Sequence, residues 1–179
     1  MVCPYFCNDM HSPIVYFRET QRFNQPWLWI LLSLPLVAAI GIPLATEGSL
    51  HLDDFIGVGL TAAVILLMRL MKLETRLDSN GITVRFFPFH LKPRFFSLDN
   101  IASMEVTTYK PLRDYGGWGL RVGAKGAVFN TSGKNGMLVG FHEAQWLVFG
   151  KQKNLMIGTQ HPEALTKAIE ELKHAAVSP

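Results

Sequence analysis

The 179-residue sequence contains only two cysteines, Cys3 and Cys7, and both precede its first long apolar run. With so few thiols, and none in the C-terminal half, a disulfide scaffold is excluded as the source of stability there. A soft-metal site formed with His11 needs all three side chains on one helix face, and Pro4 and Pro13 interrupt such a helix. We therefore interpret this segment as a tail that holds no metal.

The sequence also lacks the residue patterns of common catalytic sites. Its six histidines fall in different segments, without the His-Glu-x-x-His spacing of zinc enzymes, and no Gly-x-Ser-x-Gly turn of a hydrolase occurs. No two carboxylates are placed for acid–base work. We expect no catalytic residue, no metal and no cofactor, and predict that the protein is not an enzyme.

Charged residues are absent from the first long apolar run, residues 27–46, and a second run covers residues 54–71. A bilayer core needs about 20 apolar residues per helix. The first run meets this length, and the second does so if Arg69 extends to the interface. Neither run has an ionisable residue at mid-depth, where a transport site is expected. The two runs predict a transmembrane α-hairpin within residues 25–72.

The loop at residues 47–54 has no Lys or Arg, whereas basic residues flank the hairpin on its other side, two before the first run and three at the end of and just after the second. By the positive-inside rule, both termini then lie in the cytoplasm. The predicted organisation is a cytoplasmic tail at 1–24, the hairpin at 25–72, and a cytoplasmic domain at 73–179.

Downstream of the hairpin, short alternating apolar stretches are typical of β-strands. The pair Asn80-Gly81 predicts a two-residue hairpin turn. From Lys72 onward, fourteen Lys and Arg residues face nine acidic ones, a surplus too small to indicate nucleic-acid binding. The predicted strands are 73–77, 82–87, 94–98, 103–109, 118–122, 127–131, 136–141, 146–149 and 155–157.

The chain ends in a predicted amphipathic helix at about 162–176. Pro162 is at the first helical position, where its missing N–H costs nothing. The apolar stripe of this helix comprises Leu165, Ala168, Ile169, Leu172 and Ala176. The fold class is therefore α+β: a transmembrane α-hairpin followed by an all-β barrel or sandwich, capped by a C-terminal amphipathic helix. This is the outline of a pleckstrin-homology-like (PH-like) domain.

Four sequence segments carry a resemblance to a known family. They are Arg18-Glu-Thr-Gln-Arg-Phe23, residues 109–121 with Gly-Trp-Gly, residues 129–136 with Asn-x-Ser-Gly-x-x-Gly, and residues 155–163 with Ile-Gly-Thr-Gln-x-Pro-Glu. In this order they resemble an uncharacterised family of bacterial two-span membrane proteins with a PH-like domain. The resemblance covers roughly residues 18–173. It implies the fold and a place in the bacterial inner membrane, and it implies no activity.

The segment Arg113-Asp-Tyr-Gly-Gly-Trp-Gly119 is the first candidate site. Its glycines permit close backbone approach, so Arg113, Asp114, Tyr115 and Trp118 are candidates for an exposed binding edge. The alternative is a tight turn that sends Trp118 into the barrel core.

The segment from Phe86 to Phe96 is the second candidate, with five aromatic and two cationic side chains. Phe87 and Phe89 are candidates for contact with the headgroup boundary, and Lys92 and Arg94 for contact with lipid phosphates. The alternative is two strands joined by a turn. In either case each Phe-Phe pair directs one ring outward, because side chains alternate along a strand.

A third segment, the polar loop at residues 130–136, is compatible with an anion-binding nest. Because a strand follows it and the Gly-Lys-Ser/Thr of a phosphate loop is missing, an ordinary hairpin turn is the preferred interpretation.

Taken together, the sequence predicts a membrane-anchored binding module. We expect protein or self-interaction at the cytoplasmic membrane face, with binding of anionic lipid headgroups as the alternative. A role as an enzyme or transporter component is disfavoured, because the sequence lacks catalytic residue patterns and lacks ionisable residues in the middle of the apolar runs. The expected partners are membrane lipids and a protein partner or a second copy, with no nucleic acid.

Overall fold

The computed structural model describes residues 13–46, 48–49, 51–123, 125–147 and 150–177. The candidate metal ligands Cys3, Cys7 and His11 lie outside the described residues. In chain order the elements are β1 (Val15–Arg22), α1 (Pro26–Thr46), α2 (Leu52–Leu70), β2 (Lys72–Asp78), β3 (Gly81–Phe87), β4 (Arg94–Ser97), a 3₁₀ turn (Leu98–Asn100), β5 (Ile101–Thr108), α3 (Pro111–Tyr115), β6 (Gly119–Gly123), β7 (Gly126–Asn130), β8 (Asn135–Leu147), β9 (Gly150–Thr159) and α4 (Pro162–Val177).

Helices α1 and α2 pack side by side as a hairpin that buries none of its residues. Among the described residues, α1 is the one helix long and apolar enough to cross a membrane, by length and composition. Helix α2 has a similar length but carries Asp53 and Asp54 in its first turn and Arg69 in its last. The sequence predicted two spans, and one helix meets this criterion.

Strands β1 to β4 form an antiparallel sheet in that order, which we call sheet A. β1 lies at its edge and pairs with β2 from Phe17 opposite Leu77 to Arg22 opposite Lys72. Residues 15–22 were predicted to belong to a tail, and that assignment is corrected here. Two of the inward positions of this strand are polar, so its sequence lacks the apolar alternation of a buried strand.

The other five strands form sheet B in the order β5-β8-β9-β7-β6. The segments predicted as separate strands near 136–141 and 146–149 contribute to one strand, β8, as far as Leu147. β7 runs parallel to β9, which separates it from β8. The loop that joins β7 to β8 is therefore a crossing over the end of β9, and the predicted hairpin turn at 130–136 is wrong.

One hydrophobic core joins the inner faces of the two sheets with α4. The rings of Phe96 in sheet A and Phe141 in sheet B lie 5.0 Å apart. Helix α4 inserts the predicted stripe, of which Leu165, Ala168, Ile169 and Leu172 are buried, and the side chain of Ala176 lies outside the described set. The described strands form two sheets and not a closed barrel, so the coarse α+β prediction is confirmed and the closed-barrel alternative is not.

A smaller cluster covers the other side of sheet B. Tyr109 and Tyr115 meet there edge to face at 5.8 Å and pack on Val128 and Met156. Helix α3, which the sequence did not predict, delivers Tyr115 to this cluster. With both faces covered, every residue of β7 is buried.

Candidate functional site: an arginine-lined groove

An open groove of about 490 Å³ lies where the end of α2 meets two loops of the β-rich domain. The loops are residues 88–93, between β3 and β4, and residues 116–118, before β6. The groove is lined by Met71, Phe89, His90, Arg94, Trp118, Gly119, Leu120 and Arg121. The structure thus brings three of the eight residues singled out from sequence, Phe89, Arg94 and Trp118, into one site.

The first loop owes its shape to a tight reversal after β3. A cis peptide bond joins Phe87 to Pro88, and the backbone N–H of His90 donates to the carbonyl oxygen of Phe86 at 2.7 Å. The chain then returns to begin β4 at Arg94. This reversal carries His90 and Arg94 to the same side of the domain.

The aromatic rings around this loop divide between core and surface. Phe86 and Phe96 are buried, whereas Phe87 is half-buried and Phe95 is 55% exposed. The sequence-based prediction that each Phe-Phe pair directs one ring outward is confirmed. Phe89, at the tip of the loop, is 58% exposed and forms one wall of the groove.

The second loop is a glycine turn around Trp118. Gly116, Gly117 and Gly119 have φ values of 73°, 129° and 109°, a region that L side chains rarely adopt. Trp118 is half-buried against the main core, and its Nε1 donates to the carbonyl oxygen of Gly133 at 3.3 Å. Trp118 thus packs partly on the core and also lines the groove, and its role in a binding edge stays a prediction.

Two arginines supply the charge of the groove. The Nη1 of Arg94 donates to the carbonyl oxygen of Trp146 at 2.5 Å, and the Nε of Arg121 donates to the carbonyl oxygen of Trp118 at 2.9 Å. No carboxylate lines the groove, and within the described part of the chain neither arginine has a carboxylate within 4.0 Å. An arginine has five N–H donors, so each guanidinium is held by the fold and keeps donors for a ligand.

His90 adds a neutral polar group. Burial, together with the positive charge of Arg94, lowers the pKa of His90 below its ordinary value of 6.5. Its ring lies 5.4 Å from that of Phe129, and its Nδ1 is buried without a hydrogen-bond partner. A buried polar atom without a partner is unusual in folded proteins.

The groove adjoins the root of the hairpin, by which we mean the first turn of α1 and the last turn of α2. Trp27 in α1 lies 6.1 Å from Trp118, and Met71, the residue that caps α2, lines the groove itself. On the other side of the root, the Arg69 guanidinium lies 4.6 Å over the ring of Trp29. The groove therefore opens next to the apolar helices.

Exposed apolar side chains surround the groove. Trp27, Leu91 and Trp146 are 51%, 73% and 66% exposed. Lys92, also exposed, lies in the same loop as Leu91. Isolated exposed apolar residues need no explanation, but their concentration beside a cationic groove is characteristic of a surface that contacts a ligand or a membrane.

A buried polar network fixes β1, and with it α1, to sheet B. Gln21 is 1% exposed; its Nε2 donates to the carbonyl oxygen of Gly158 at 2.6 Å, and its Oε1 accepts from Thr131 Oγ1 at 3.1 Å. Glu19 accepts from Thr159 Oγ1 at 2.7 Å and from the backbone N–H of Gln160 at 2.8 Å. These bonds join residues more than 100 positions apart.

Asn130 extends the same network toward the groove. Its Oδ1 accepts from the backbone N–H of Gly119 at 2.7 Å, and its Nδ2 donates to the hydroxyl of Tyr109 at 2.8 Å. Burial raises the pKa of Tyr109 to about 12 despite that hydrogen bond, so the hydroxyl stays neutral. All four segments behind the family resemblance supply residues here, namely Gln21, Tyr109, Asn130 and Gly158, so these segments lie together in the fold.

The other residues singled out from sequence do not line the groove. Tyr115 is 4% exposed, which removes it from any exposed edge, and Arg113 is exposed on α3. Asp114 accepts from the backbone N–H of Lys110 at 2.9 Å, and this bond, with help from Lys125, lowers the pKa of its carboxyl group.

Phe87 lies on the outer face of sheet A, within cation–π distance of two basic side chains. The Lys72 Nζ is 6.0 Å from the centre of the Phe87 ring and the Arg85 guanidinium is 5.5 Å from it. Phe87 therefore belongs to a different surface from the groove.

Sequence analysis did not single out the other five groove residues, which are Met71, His90, Gly119, Leu120 and Arg121. Arg121 follows the glycine turn at the third position of a short strand, which is a weak signal on its own. Met71 was counted as the end of an apolar run. Only the fold joins the end of α2 to these loops.

Comparisons with protein-family models, with curated proteins and with solved structures found no match for this chain. The resemblance to a family of bacterial two-span proteins with a PH-like domain therefore stays a prediction.

Proposed function

We propose that this protein is a membrane-anchored binding module whose groove takes the phosphate-bearing headgroups of anionic lipids. In this proposal the α1–α2 hairpin crosses the bacterial inner membrane twice, both termini are cytoplasmic, and a PH-like domain lies against the inner leaflet. The observation that carries the proposal is the position of Arg94 and Arg121, without carboxylate partners, in a groove at the root of an apolar hairpin.

The exposed hairpin supports the membrane part of the proposal. Helix α1 is apolar all round, and no residue of either helix is buried. A helix of this kind is stable in a protein core or in a bilayer, and the described residues form no core around it. Its 21 residues extend about 31 Å, close to the thickness of a hydrocarbon core.

Pairing of β1 with β2 supports two crossings instead of one. β1 precedes α1, β2 follows α2, and the two strands are neighbours in sheet A. A chain that leaves the domain along α1 and crosses the bilayer must therefore return along α2. Asp53 and Asp54 would then lie at the outer surface and Arg69 at the inner one, as the positive-inside rule favours.

The groove shifts the preference between the two functions expected from sequence. Protein or self-interaction had been favoured, and it stays a prediction without a surface of its own. Lipid binding gains a site, because the groove unites two arginines with an aromatic wall at the expected depth of the headgroups. Anionic leaflets attract such cationic surfaces, and phosphates form strong paired hydrogen bonds with guanidinium groups.

Lipid retention by the full-length protein tests this proposal. The protein is purified in a mild detergent, exposed to equal amounts of an anionic phospholipid mixture and phosphatidylcholine, and analysed by native mass spectrometry. We expect retention of anionic lipid, reduced about tenfold in Arg94→Gln/Arg121→Gln.

The control is Lys167→Gln/Lys173→Gln, which removes the same charge from the exposed face of α4. It should retain lipid like the unaltered protein. Equal retention by both double variants would contradict the proposed lipid site.

A further inference from the structure

The N–H donors of the two arginines favour one class of phosphate-bearing lipid over another. This inference rests on the proposed function, that the groove binds lipid headgroups. We infer that the groove is a site for a phosphate monoester, a terminal phosphate with three unesterified oxygens, in preference to the phosphodiester of ordinary phospholipids. The ligand class is a lipid with a terminal phosphate, of which phosphatidic acid is the simplest example.

The hydrogen bonds of the two arginines determine which of their edges remain free. Arg121 uses Nε for the carbonyl oxygen of Trp118, so its two terminal amino groups remain as a fork. Arg94 uses Nη1 for the carbonyl oxygen of Trp146, so Nε and the second amino group remain as a fork. Each guanidinium thus has one complete paired-donor edge for a ligand.

Both arginines line the same groove, and the inferred site places one phosphate between their free edges. Two forks on one phosphate require more than two of its oxygen atoms. A fork contacts two oxygens side by side, as in arginine–phosphate pairs generally. A diester has only two unesterified oxygens, so both arginines would compete for one O–P–O edge and their positive charges would be forced together. A monoester has three oxygens, so the two forks take different edges and share one oxygen.

Charge leads to the same selection. The groove holds two positive charges and no carboxylate among its lining residues. A phosphate monoester carries about −1.5 to −2 near pH 7, whereas a diester carries −1.

The apolar walls argue that the monoester is a lipid and not a soluble metabolite. Met71, Phe89, Trp118 and Leu120 line the groove beside the two arginines. Phe89 is 58% exposed, so it can pack on the glycerol backbone or the first carbons of an acyl chain. A soluble monoester such as glycerol 3-phosphate would leave this apolar surface uncovered.

The experiment compares three probes on the full-length protein in detergent: short-chain phosphatidic acid, short-chain phosphatidylglycerol and glycerol 3-phosphate. Binding is measured by native mass spectrometry, with the two lipids in direct competition. We expect phosphatidic acid to bind about tenfold more tightly than phosphatidylglycerol, and glycerol 3-phosphate to bind more weakly than phosphatidic acid.

Charge-conserving variants separate paired hydrogen bonding from simple attraction. Arg94→Lys and Arg121→Lys keep the positive charge but lose the fork. We expect each to reduce the preference for phosphatidic acid to threefold or less while still binding anionic lipid. Lys92→Arg, in the same loop but outside the groove lining, is the matched control and should keep the full preference.

The outcomes distinguish this inference from the proposed function. Equal binding of the two lipids, both dependent on the arginines, would overturn the monoester inference and leave a general anionic lipid site. If glycerol 3-phosphate binds as tightly as phosphatidic acid, the site is still one for a phosphate monoester, but the claim that the monoester belongs to a lipid is overturned. If Arg94→Gln/Arg121→Gln binds both lipids as tightly as the unaltered protein does, the monoester inference and the proposed lipid site are both overturned.

Discussion

At the scale of single residues, the most informative side chains are the polar ones inside the domain. Glu19 and Gln21 are 7% and 1% exposed, yet each is fully engaged with sheet B. A polar pair of this kind in a sequence predicts an exposed strand or a tail. The partners that make burial favourable lie more than 100 residues away, so the local pattern cannot reveal them.

Gln21 gives a direct test of this network. Gln21→Ala removes the hydrogen bonds to the carbonyl oxygen of Gly158 and the hydroxyl of Thr131, at a cost of about 1–3 kcal/mol for each buried group left unsatisfied. We expect a clearly lower unfolding midpoint in urea for the full-length protein in detergent. Thr20→Ala, at an exposed position of the same strand, should change the midpoint little, and equal effects of the two substitutions would contradict the network.

Tyr109 makes the stability of the folded protein depend on pH. Its pKa is raised from 10.0 to about 12 in the folded protein by burial. Between these values the unfolded chain loses the hydroxyl proton while the folded chain keeps it, so the folded state binds more protons and stability falls as pH rises. The contribution of this group is up to about 1.4 kcal/mol per pH unit.

The matching experiment is urea unfolding of Tyr109→Phe at pH 9 and at pH 11. The variant should be less stable at pH 9, because Asn130 loses its acceptor. It should lose less further stability at pH 11 than the unaltered protein does. An identical loss in both proteins would show that Tyr109 ionises normally in the folded state.

At the scale of elements, most strands, the Asn-Gly turn and the C-terminal helix could be predicted from periodicity and turn residues. The strand at 15–22, the parallel pairing of β7 with β9 and the short helix α3 could not. Parallel pairing needs a crossing connection, and nothing in residues 131–134 distinguishes a crossing from a hairpin turn. The loops of the groove could be predicted as candidate sites, because they carry local aromatic and glycine patterns. That the two loops lie side by side could not be predicted, because it depends on the tertiary fold.

The strand β1 makes the domain discontinuous in sequence, and this has a testable consequence. Residues 72–179 alone lack the edge strand and its buried Phe17, Glu19 and Gln21. We expect this fragment to be unfolded or aggregated, as judged by circular dichroism and by amide dispersion in NMR spectra.

Restoring β1 without the hairpin should restore the fold. Because Arg22 lies opposite Lys72, residues 13–24 can be joined to residues 71–179 by one added glycine, which creates an Asn-Gly turn between Phe23 and Met71. We expect this shortened chain to be folded and water-soluble. Folding of 72–179 alone, to the same extent, would contradict the assignment of β1 to the domain.

At the scale of the whole molecule, two features determine the proposed mode of action. The apolar hairpin has no buried residue, and the cationic groove opens at its root. The polar network ties β1 to sheet B, so the domain has little freedom to turn its groove away from the hairpin. A membrane around the hairpin would therefore bring headgroups to Arg94 and Arg121 without any rearrangement of the fold.

Two-sided cysteine labelling tests the central claim, which is that the hairpin crosses the bilayer and leaves the groove on the cytoplasmic side. Ser49→Cys and Lys92→Cys are introduced separately into a Cys3→Ser/Cys7→Ser background and treated with a membrane-impermeant maleimide in right-side-out and inside-out vesicles. We predict that Ser49→Cys is labelled only in right-side-out vesicles and Lys92→Cys only in inside-out ones. Labelling of both positions from the same side would contradict the account.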